Sequence, residues 1–269
     1  MAGKGQLPKP SYDAKKYSSG RPSYPIQLFK FIASKTPDHH FAWDVGTGTG
    51  QAIPHLAELY ENVVGTDISQ TQLDSAPKLP NVKYHATPPV ISVSDLEQMV
   101  GPQSSIDLIT VAQAMHWFDL TKFYELVRCA LKKPNGVIAA WCYTTPQVDN
   151  EVDAVFWPFY KGFSGPGWAE ATGAVDDHYT SIHFPFQPVD GVDNTGPFEF
   201  VSEKVMTLDD YLTYIRSWSA YNDAKLKGVE MLPDEQVEKF KRAWSSDGNN
   251  EKVVRFPIYL RIGKVGDTN

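Results

Sequence analysis

The chain has very few cysteines. Among its 269 residues there are two, Cys129 and Cys142, and their spacing is typical of neither a metal site nor a disulfide framework. This scarcity excludes a small fold held together by disulfides and predicts free thiols in a reducing compartment. The pair His39–His40 has no further ligand residues at usable spacing, so the sequence predicts no metal site.

Basic residues are also in short supply. Lys and Arg together number 25, against 32 Asp and Glu, which gives a formal net charge of −7. A surface that binds nucleic acid must attract phosphates and is normally basic. We therefore expect no nucleic-acid partner.

The sequence also lacks long apolar stretches. No run approaches the roughly 18 apolar residues that a membrane-spanning helix needs. The first ten residues, MAGKGQLPKP, lack the apolar core of a signal peptide. These observations predict a cytoplasmic protein without a membrane partner.

What the first half does contain is a regular alternation of apolar runs and amphipathic segments. The runs predicted as strands are FAWDVG, NVVGTDIS, NVKYHAT, IDLITVAQAM and GVIAAWCY. The segments between them have helical periodicity, and Ser94 with Glu97 is predicted to form a capping box in one of them. Apolar strands that alternate with helices are typical of a parallel sheet covered on both faces. The sequence therefore predicts an α/β fold with a doubly wound, Rossmann-like, mostly parallel sheet.

The pattern changes after Tyr143. Residues 146–197 are rich in Pro, Gly and aromatic residues, and TLDDYLTYIRSWSAY and PDEQVEKFKRAW then read as helices. We expect residues 146–220 to form an inserted, loop-rich cap or lid. Residues 251–265 are predicted to return to the sheet as a final strand, so that residues 1–269 form one domain.

A glycine-rich turn follows the first predicted strand, in FAWDVGTGTGQA. The glycines are Gly46, Gly48 and Gly50, and a turn between a strand and a helix is a place where backbone N–H groups meet an anionic ligand. The dinucleotide pattern G-x-G-x-x-G would need glycine at position 51, where the chain has Gln51. Asp67 ends the next strand, where a carboxylate either accepts the two hydroxyls of a ribose or caps a helix.

Several segments together resemble the motifs of class I S-adenosylmethionine-dependent methyltransferases. They are WDVGTGTGQ, VVGTDISQTQL, IDLITVAQAMHWFD and LKKPNGVIAAW, in this order and at these intervals. AQAMHWFD, the N-terminal YDAKKYSSGRPSYP and the helix LDDYLTYIRSWSAY resemble the small-molecule branch that includes trans-aconitate methyltransferase and related fungal and plant proteins. The resemblance covers most of residues 12–265 and is weakest over 146–197.

The resemblance implies S-adenosyl-L-methionine as the cofactor. Gly46, Thr47, Gly48 and Gly50 would line its methionine end, with Asp44 near the amine. Asp67 would accept the ribose hydroxyls, and Ile68 would lie against the adenine.

Three further cofactor contacts are implied. Ala112 and Gln113 would border the sulfonium, and residues 1–25 would close over the cofactor through Tyr17 and Arg21. Many relatives carry an acidic residue soon after the third strand that accepts the adenine amine. Here the segment reads HATPPVISVSDLEQM, a departure that leaves Asp95 as the candidate.

The candidate catalytic residues are His116, Trp117 and Arg216. His116 and Trp117 follow the fourth strand, at the sheet edge where open α/β folds bind ligands. They either orient the acceptor, with His116 as a possible base, or simply pack under the cap. Arg216 either binds an acidic acceptor or is a solvated residue of a helix. The aromatic residues Trp157, Phe159 and Trp168 form either a pocket wall or the core of the cap itself.

The favoured prediction is methyl transfer to a small molecule, with a carboxylic acid that becomes a methyl ester as the expected acceptor. A carboxylate is already deprotonated near pH 7, whereas a phenol or an amine would benefit from His116 as a base. A protein that binds the cofactor without turnover is the non-enzymatic alternative. Gln51 disfavours a nicotinamide oxidoreductase, and AQAM stands where methyltransferases acting on nucleic-acid amines carry Asn/Asp-Pro-Pro-aromatic.

Overall fold

The first half of the chain alternates strands with helices. A computed structural model describes residues 21–162 and 173–266. The elements of this half are α1 (Ile26–Ser34), β1 (Phe41–Val45), α2 (Ile53–Leu59), β2 (Asn62–Asp67), α3 (Gln70–Asp74), β3 (Val82–Ala86), α4 (Val93–Met99), β4 (Leu108–Ala112), a 3₁₀ turn (Met115–Trp117), α5 (Leu120–Ala130) and β5 (Val137–Tyr143).

The second half contains more helix than the sequence predicted. Its elements are α6 (Asn150–Gly162), β6 (Phe198–Thr207), α7 (Leu208–Arg216), α8 (Ser219–Leu226), α9 (Asp234–Trp244) and β7 (Glu251–Lys264).

Seven strands of the described residues form one sheet in the order β3–β2–β1–β4–β5–β7–β6. The first five are parallel, and β7 pairs antiparallel with β5, with Trp141 opposite Leu260. Strand order reverses between β1 and β4, and their carboxyl ends open a crevice that binds ligands in folds of this kind. The prediction of a doubly wound, mostly parallel sheet is confirmed.

The central strands are buried because helices cover both faces of the sheet. Every residue of β5 is buried, and β4 is buried over its first four residues. On one face, α5 contributes a stripe of buried residues at helical spacing, namely Phe123, Tyr124, Leu126, Val127 and Ala130. This packing fixes the strand ends that carry the candidate site.

The described chain divides into two compact units. The sheet unit contains residues 22–147, 173–203 and 255–266, and the helical unit contains Arg21 with residues 148–162 and 204–254. The division differs from the predicted cap of residues 146–220, because residues 173–203 group with the sheet. That this cap covers the site remains a prediction.

The helical unit has an aromatic core of its own. Phe156 packs against Trp218 and Tyr211 with ring centroids 6.1 and 6.4 Å apart, and Phe159 packs edge-on against Phe240 at 5.5 Å. Phe159 is therefore a core residue of this unit, whereas 43% of Trp157 is exposed. Trp168 lies outside the described residues.

Three local predictions were wrong. The segment 150–162 is a helix despite Pro158, because Val152, Phe156 and Phe159 share one buried face. The capping box of α4 is formed by Ser92 and Asp95, since Ser92 precedes the first helical residue. The predicted helix over TLDDYLTYIRSWSAY is interrupted at Ser217, whose hydroxyl donates to the Tyr214 carbonyl at 2.6 Å.

The described residues contain neither a candidate membrane span nor a candidate metal cluster. None of their helices is both long and apolar enough to cross a bilayer. The same residues place no three His, Cys, Asp or Glu side chains where they would hold a metal ion.

Candidate functional site

The glycine-rich turn is stabilised by the neighbouring strand. The N–H groups of Gly46 and Thr47 both donate to the Thr66 carbonyl, at 2.8 and 2.9 Å, and the Gly48 N–H donates to Asp67 Oδ2 at 2.9 Å. The expectation that these amides meet an anionic ligand was therefore wrong for these three. The backbone of the turn lies close to the crevice, but these three N–H groups already donate to acceptors of β2.

Two glycines of the turn are required by packing as well as by backbone conformation. Gly46 and Gly50 have φ of +69° and +79°, in the left-handed region that side chains disfavour. A Cβ on Gly46 would lie 2.8 Å from the Cβ of Ala114, and one on Gly50 would lie 2.9 Å from Cδ of Pro77. Both positions are closed to a side chain.

Asp44 is a fully buried carboxylate at the end of β1. Its Oδ1 accepts a hydrogen bond from the Thr110 hydroxyl at 2.6 Å, and its Oδ2 has no hydrogen-bond partner among the described residues. Burial raises the pKa of Asp44 to about 6, against the opposing effects of the Thr110 and Thr47 hydroxyls. A buried acceptor without a donor suits a cationic or N–H group of a ligand.

Asp67 organises the turn. Its Oδ2 accepts the Gly48 N–H and its Oδ1 accepts the Ser69 N–H at 2.8 Å. Burial raises the pKa of Asp67, while these backbone hydrogen bonds act in the opposite direction. A carboxylate has about four lone-pair positions, so each oxygen can still accept another donor. Next to it, Ile68 is 54% exposed.

Gln113 follows Ala112 at the end of β4 in an unusual conformation. Its φ is +57°, and its Nε2 donates to the Tyr143 carbonyl at 3.0 Å. This bond orients the amide, so that the buried Oε1 is the atom left without a partner among residues 21–162 and 173–266. Gln113 and Asp44 thus provide two buried acceptors at the ends of the strands that flank the crevice.

His116 lies in the 3₁₀ turn just beyond β4. Its Nδ1 is 2.9 Å from the hydroxyl of Tyr179, and its ring centroid is 5.0 Å from that of Trp117. Burial lowers the pKa of His116 to about 4, so the imidazole is neutral at pH 7. Half of Trp117 is exposed.

Sequence reasoning missed Tyr179. It is fully buried, and its hydrogen bond to His116 spans 63 positions of the chain. The stretch around it has neither strand nor helix periodicity, so only the fold connects the two residues.

The adenine-contact candidate, Asp95, is engaged elsewhere. Its Oδ2 accepts hydrogen bonds from the N–H and the hydroxyl of Ser92, at 2.9 and 2.6 Å. It serves the N-terminus of α4, and one oxygen remains for other donors.

The other predicted contacts belong to the helical unit or lie outside the described residues. Arg21 donates to the Ser217 carbonyl at 3.1 Å and lies 6.0 Å from the centre of the Tyr214 ring. Arg216 is exposed at the end of α7. Burial raises the pKa of Tyr221 against the opposing effect of Arg216, and the pKa of Glu230 is lowered chiefly by the Tyr221 hydroxyl, with a smaller contribution from Arg216. Tyr17 lies outside the described residues.

Within the sheet unit, the structure therefore brings most predicted site residues to the carboxyl ends of three parallel strands. Asp44, Asp67 and Ala112 lie in the last residues of β1, β2 and β4. The residues that follow these strands are Gly46, Thr47, Gly48 and Gly50 after β1, Ile68 after β2, and Gln113, His116 and Trp117 after β4.

Similarity to known proteins agrees with this arrangement. Residues 43–140 match the family described as "Methyltransferase domain". A protein of Dictyostelium discoideum named as a methyltransferase is 32% identical over 93% of this chain and 92% of its own length. A Saccharomyces cerevisiae protein named as an S-adenosylmethionine-dependent methyltransferase is 24% identical over 80% of this chain and 83% of its own.

A solved structure is similar over nearly the whole length. It is named as a type II methyltransferase from Anaeromyxobacter dehalogenans, with 31% identity, a TM-score of 0.76, and coverage of 92% of this chain and 99% of that one. With the crevice between β1 and β4 and the glycine turn beside it, these similarities show that the chain belongs to the class I, S-adenosylmethionine-dependent methyltransferases.

Proposed function

We propose that the chain transfers the methyl group of S-adenosylmethionine to the carboxylate of a small molecule and so forms a methyl ester. Methyl transfer is the activity of the family, and the acceptor class is our inference. The observation that carries it is the state of His116, which lies in the turn just beyond the end of β4. It is neutral, has a depressed pKa and already uses Nδ1 to bind Tyr179.

The residues present fit the cofactor. Asp44 Oδ2 and Gln113 Oε1, which have no hydrogen-bond partner among the described residues, are suited to the α-ammonium group, which carries three N–H donors. Asp67 has lone pairs left for the two ribose hydroxyls, and the exposed Ile68 offers an apolar surface to the adenine.

When bound, S-adenosylmethionine supplies a methyl group already activated by its positively charged sulfur. The task of the chain is then to align the acceptor oxygen with that methyl group and to exclude water. Such positioning contributes on the order of 7–11 kcal/mol to catalysis. Ala112 and Gln113 border this region in our proposal, with Trp117 as the side chain that shields it.

A carboxylate acceptor agrees with a site that has a weak base. A general base works best when its pKa is near the working pH, and burial holds that of His116 near 4. Methylation of a phenol or an amine would require this imidazole to accept a proton, which it binds only weakly. A carboxylate asks for no proton transfer.

The negative charge of such an acceptor calls for a cation. Our candidate remains Arg216, whose planar guanidinium matches a carboxylate in a bidentate geometry. Its side chain is exposed in the helical unit, beside Tyr221 and Glu230. If Arg216 binds the acceptor, Arg216→Gln raises KM for acids and leaves cofactor affinity unchanged.

The test uses purified protein, methyl-labelled cofactor and a panel of small carboxylic acids, phenols and amines. Mild alkali then releases label from a methyl ester as volatile methanol. We expect alkali-labile label from acids alone. Stable label in a phenol or an amine would replace our acceptor class and promote His116 to a base. Cofactor binding without product across the panel would favour the non-catalytic alternative.

A further inference from the structure

Tyr179 is held in its place at an energetic cost. His178 and Tyr179 both have left-handed backbone conformations, with φ of +65° and +60°. For residues other than glycine, this region costs roughly 1–2 kcal/mol per residue. Two consecutive residues of this kind persist only where surrounding contacts outweigh the strain, and such sites cluster at functional positions.

The surrounding contacts come from β7. The Arg261 guanidinium donates to the Tyr179 carbonyl at 2.8 Å, and the His178 ring stacks on Tyr259 with centroids 3.7 Å apart. Both partners are residues of one strand, β7. They place the Tyr179 hydroxyl against His116 Nδ1 at 2.9 Å.

The direction of this hydrogen bond follows from the burial of the phenol. Tyr179 is completely buried, and in the described part of the chain His116 Nδ1 is the one side-chain acceptor that its hydroxyl reaches. If Nδ1 carried the proton, the phenolic O–H would lose that acceptor, and a buried unpaired donor costs about 1–3 kcal/mol. The hydroxyl therefore donates to Nδ1, and the single proton of the neutral imidazole is on Nε2.

We propose that Tyr179 is a positioning residue that fixes His116 as the Nε2–H tautomer, so that His116 donates a hydrogen bond to the acceptor's carboxylate. This inference rests on the proposed function. His116 is then an orienting donor and not a base, the opposite of the role that its position after β4 suggests.

The chemical step needs no proton from or to the imidazole. A C–O bond forms between one carboxylate oxygen and the methyl carbon, the C–S bond breaks, and its electron pair stays on sulfur. The Nε2–H binds the second oxygen and so directs the first toward the methyl group. Because the imidazole is neutral, it donates without withdrawing the charge that makes the carboxylate nucleophilic.

The tautomer is measurable without turnover. In protein labelled with ¹⁵N-histidine, the His116 signals are those that His116→Gln removes from the set of seven histidines. We expect a proton-bearing Nε2 and a proton-free Nδ1 near pH 7. In Tyr179→Phe the two tautomers mix, whereas Tyr124→Phe, which removes the hydroxyl bound to the His183 carbonyl, leaves the His116 signals unchanged. A wild-type Nδ1 that carries the proton would overturn the proposal.

The turnover of two His116 variants distinguishes a hydrogen-bond donor from a general base at this position. The amide of glutamine places an N–H near the position of Nε2 but has no basicity. We expect His116→Gln to stay within about tenfold of the wild-type kcat/KM, and His116→Ala to lose far more. A base would make both variants equally poor, with losses of about 10²–10⁴-fold.

Tyr179→Phe gives the second kinetic readout. It is expected to raise KM for the acid about tenfold, the effect of one hydrogen bond, with kcat and cofactor affinity nearly unchanged. An unchanged KM in a folded Tyr179→Phe protein would overturn the positioning role.

Failure of the proposed function has a different signature. If no acid is methylated but the wild-type tautomer is Nε2–H, the acceptor class is wrong and the Tyr179–His116 arrangement stands. If acids are methylated but Nδ1 carries the proton, the acceptor class stands and the role of Tyr179 is wrong.

Discussion

Asp44 shows at the scale of one residue how binding competes with stability. A carboxylate that loses its water is destabilised in its charged form, and the Thr110 and Thr47 hydroxyls only partly offset this burial, which is why the pKa of Asp44 rises to about 6. Its free Oδ2 is unfavourable for folding and favourable for a cationic ligand. Gln113 has the same character, with a buried acceptor and a left-handed backbone.

We predict that Asp44→Asn stabilises the apoprotein at high pH. The folded-state pKa of about 6 exceeds the ordinary 3.8, so the folded chain binds this proton more tightly than the unfolded chain. Wild-type stability from this group is greatest below pH 4 and is lost as the pH rises through 6. The variant lacks this dependence, and its advantage reaches on the order of 3 kcal/mol at pH 8.

Urea unfolding of both proteins at pH 4.5 and pH 8 measures this difference. A gap that does not grow with pH would contradict the buried charge. The same variant is expected to bind S-adenosylmethionine more weakly, because the ammonium group loses a charged acceptor.

Asp67→Ala is predicted to weaken cofactor binding by about 1.5–3 kcal/mol, the range for hydrogen bonds to a charged group. S-adenosylhomocysteine should lose as much, since it carries the same ribose. Calorimetric titration measures both affinities, with Asp74→Ala, an exposed aspartate of α3, as the control. An unchanged affinity would remove Asp67 from the site.

At the scale of elements, the site is a set of strand ends that support one another. The turn after β1 bonds to the end of β2, and the residues after β4 pack against the same turn through Ala114. Glycine is needed in this turn because neighbouring elements approach its backbone closely, whether or not a ligand also does.

Gly46→Ala is predicted to destabilise the fold more than Gly48→Ala. Both residues have positive φ, which costs roughly 1–2 kcal/mol for alanine. A Cβ at Gly46 also overlaps Ala114 Cβ, whereas at Gly48 it meets the mobile tip of Gln72. We expect losses of about 2–4 and 1–2 kcal/mol respectively in urea unfolding. Equal losses would show that the turn moves away from Ala114 without cost.

At the scale of the whole molecule, contacts between distant parts of the chain hold the site in place. Arg261 of β7 binds the carbonyls of Tyr179, Ile182 and Thr195, which are 66 to 82 positions away. Burial lowers the pKa of Arg261, and its guanidinium N–H groups supply the donors for these carbonyls.

We predict that Arg261→Met lowers the free energy of unfolding by about 3 kcal/mol or more, since several buried carbonyls lose their donors at about 1–3 kcal/mol each. Arg255→Met on the same strand is the control. It removes an exposed ion pair with Glu203 and should cost less than about 1 kcal/mol. Urea unfolding of the two variants provides the comparison, and a small effect of Arg261→Met would mean that water replaces its donors.

Local patterns predicted the elements of the first half and the candidate residues near the crevice. The period of apolar residues fixes a strand or helix within its own segment, and parallel strands bring their carboxyl ends together whatever the loops do. Asp44, Asp67 and Gln113 could thus be assigned to one sheet edge from position alone. The helix at 150–162 was missed because its proline and aromatic residues are typical of a loop. In the fold, burial of its apolar face outweighs this low helix propensity.

The sequence by itself determined the five parallel strands, the glycine turn and the family, because each follows from patterns within short segments of the chain. Only the tertiary structure decided which hydrogen bonds those residues make. In the described part of the chain, the amides of the turn bind Thr66 and Asp67, Asp44 and Gln113 each keep a buried acceptor without a partner, and His116 binds Tyr179. A partner 63 positions away is selected by packing, and packing sets which nitrogen of an imidazole carries the proton.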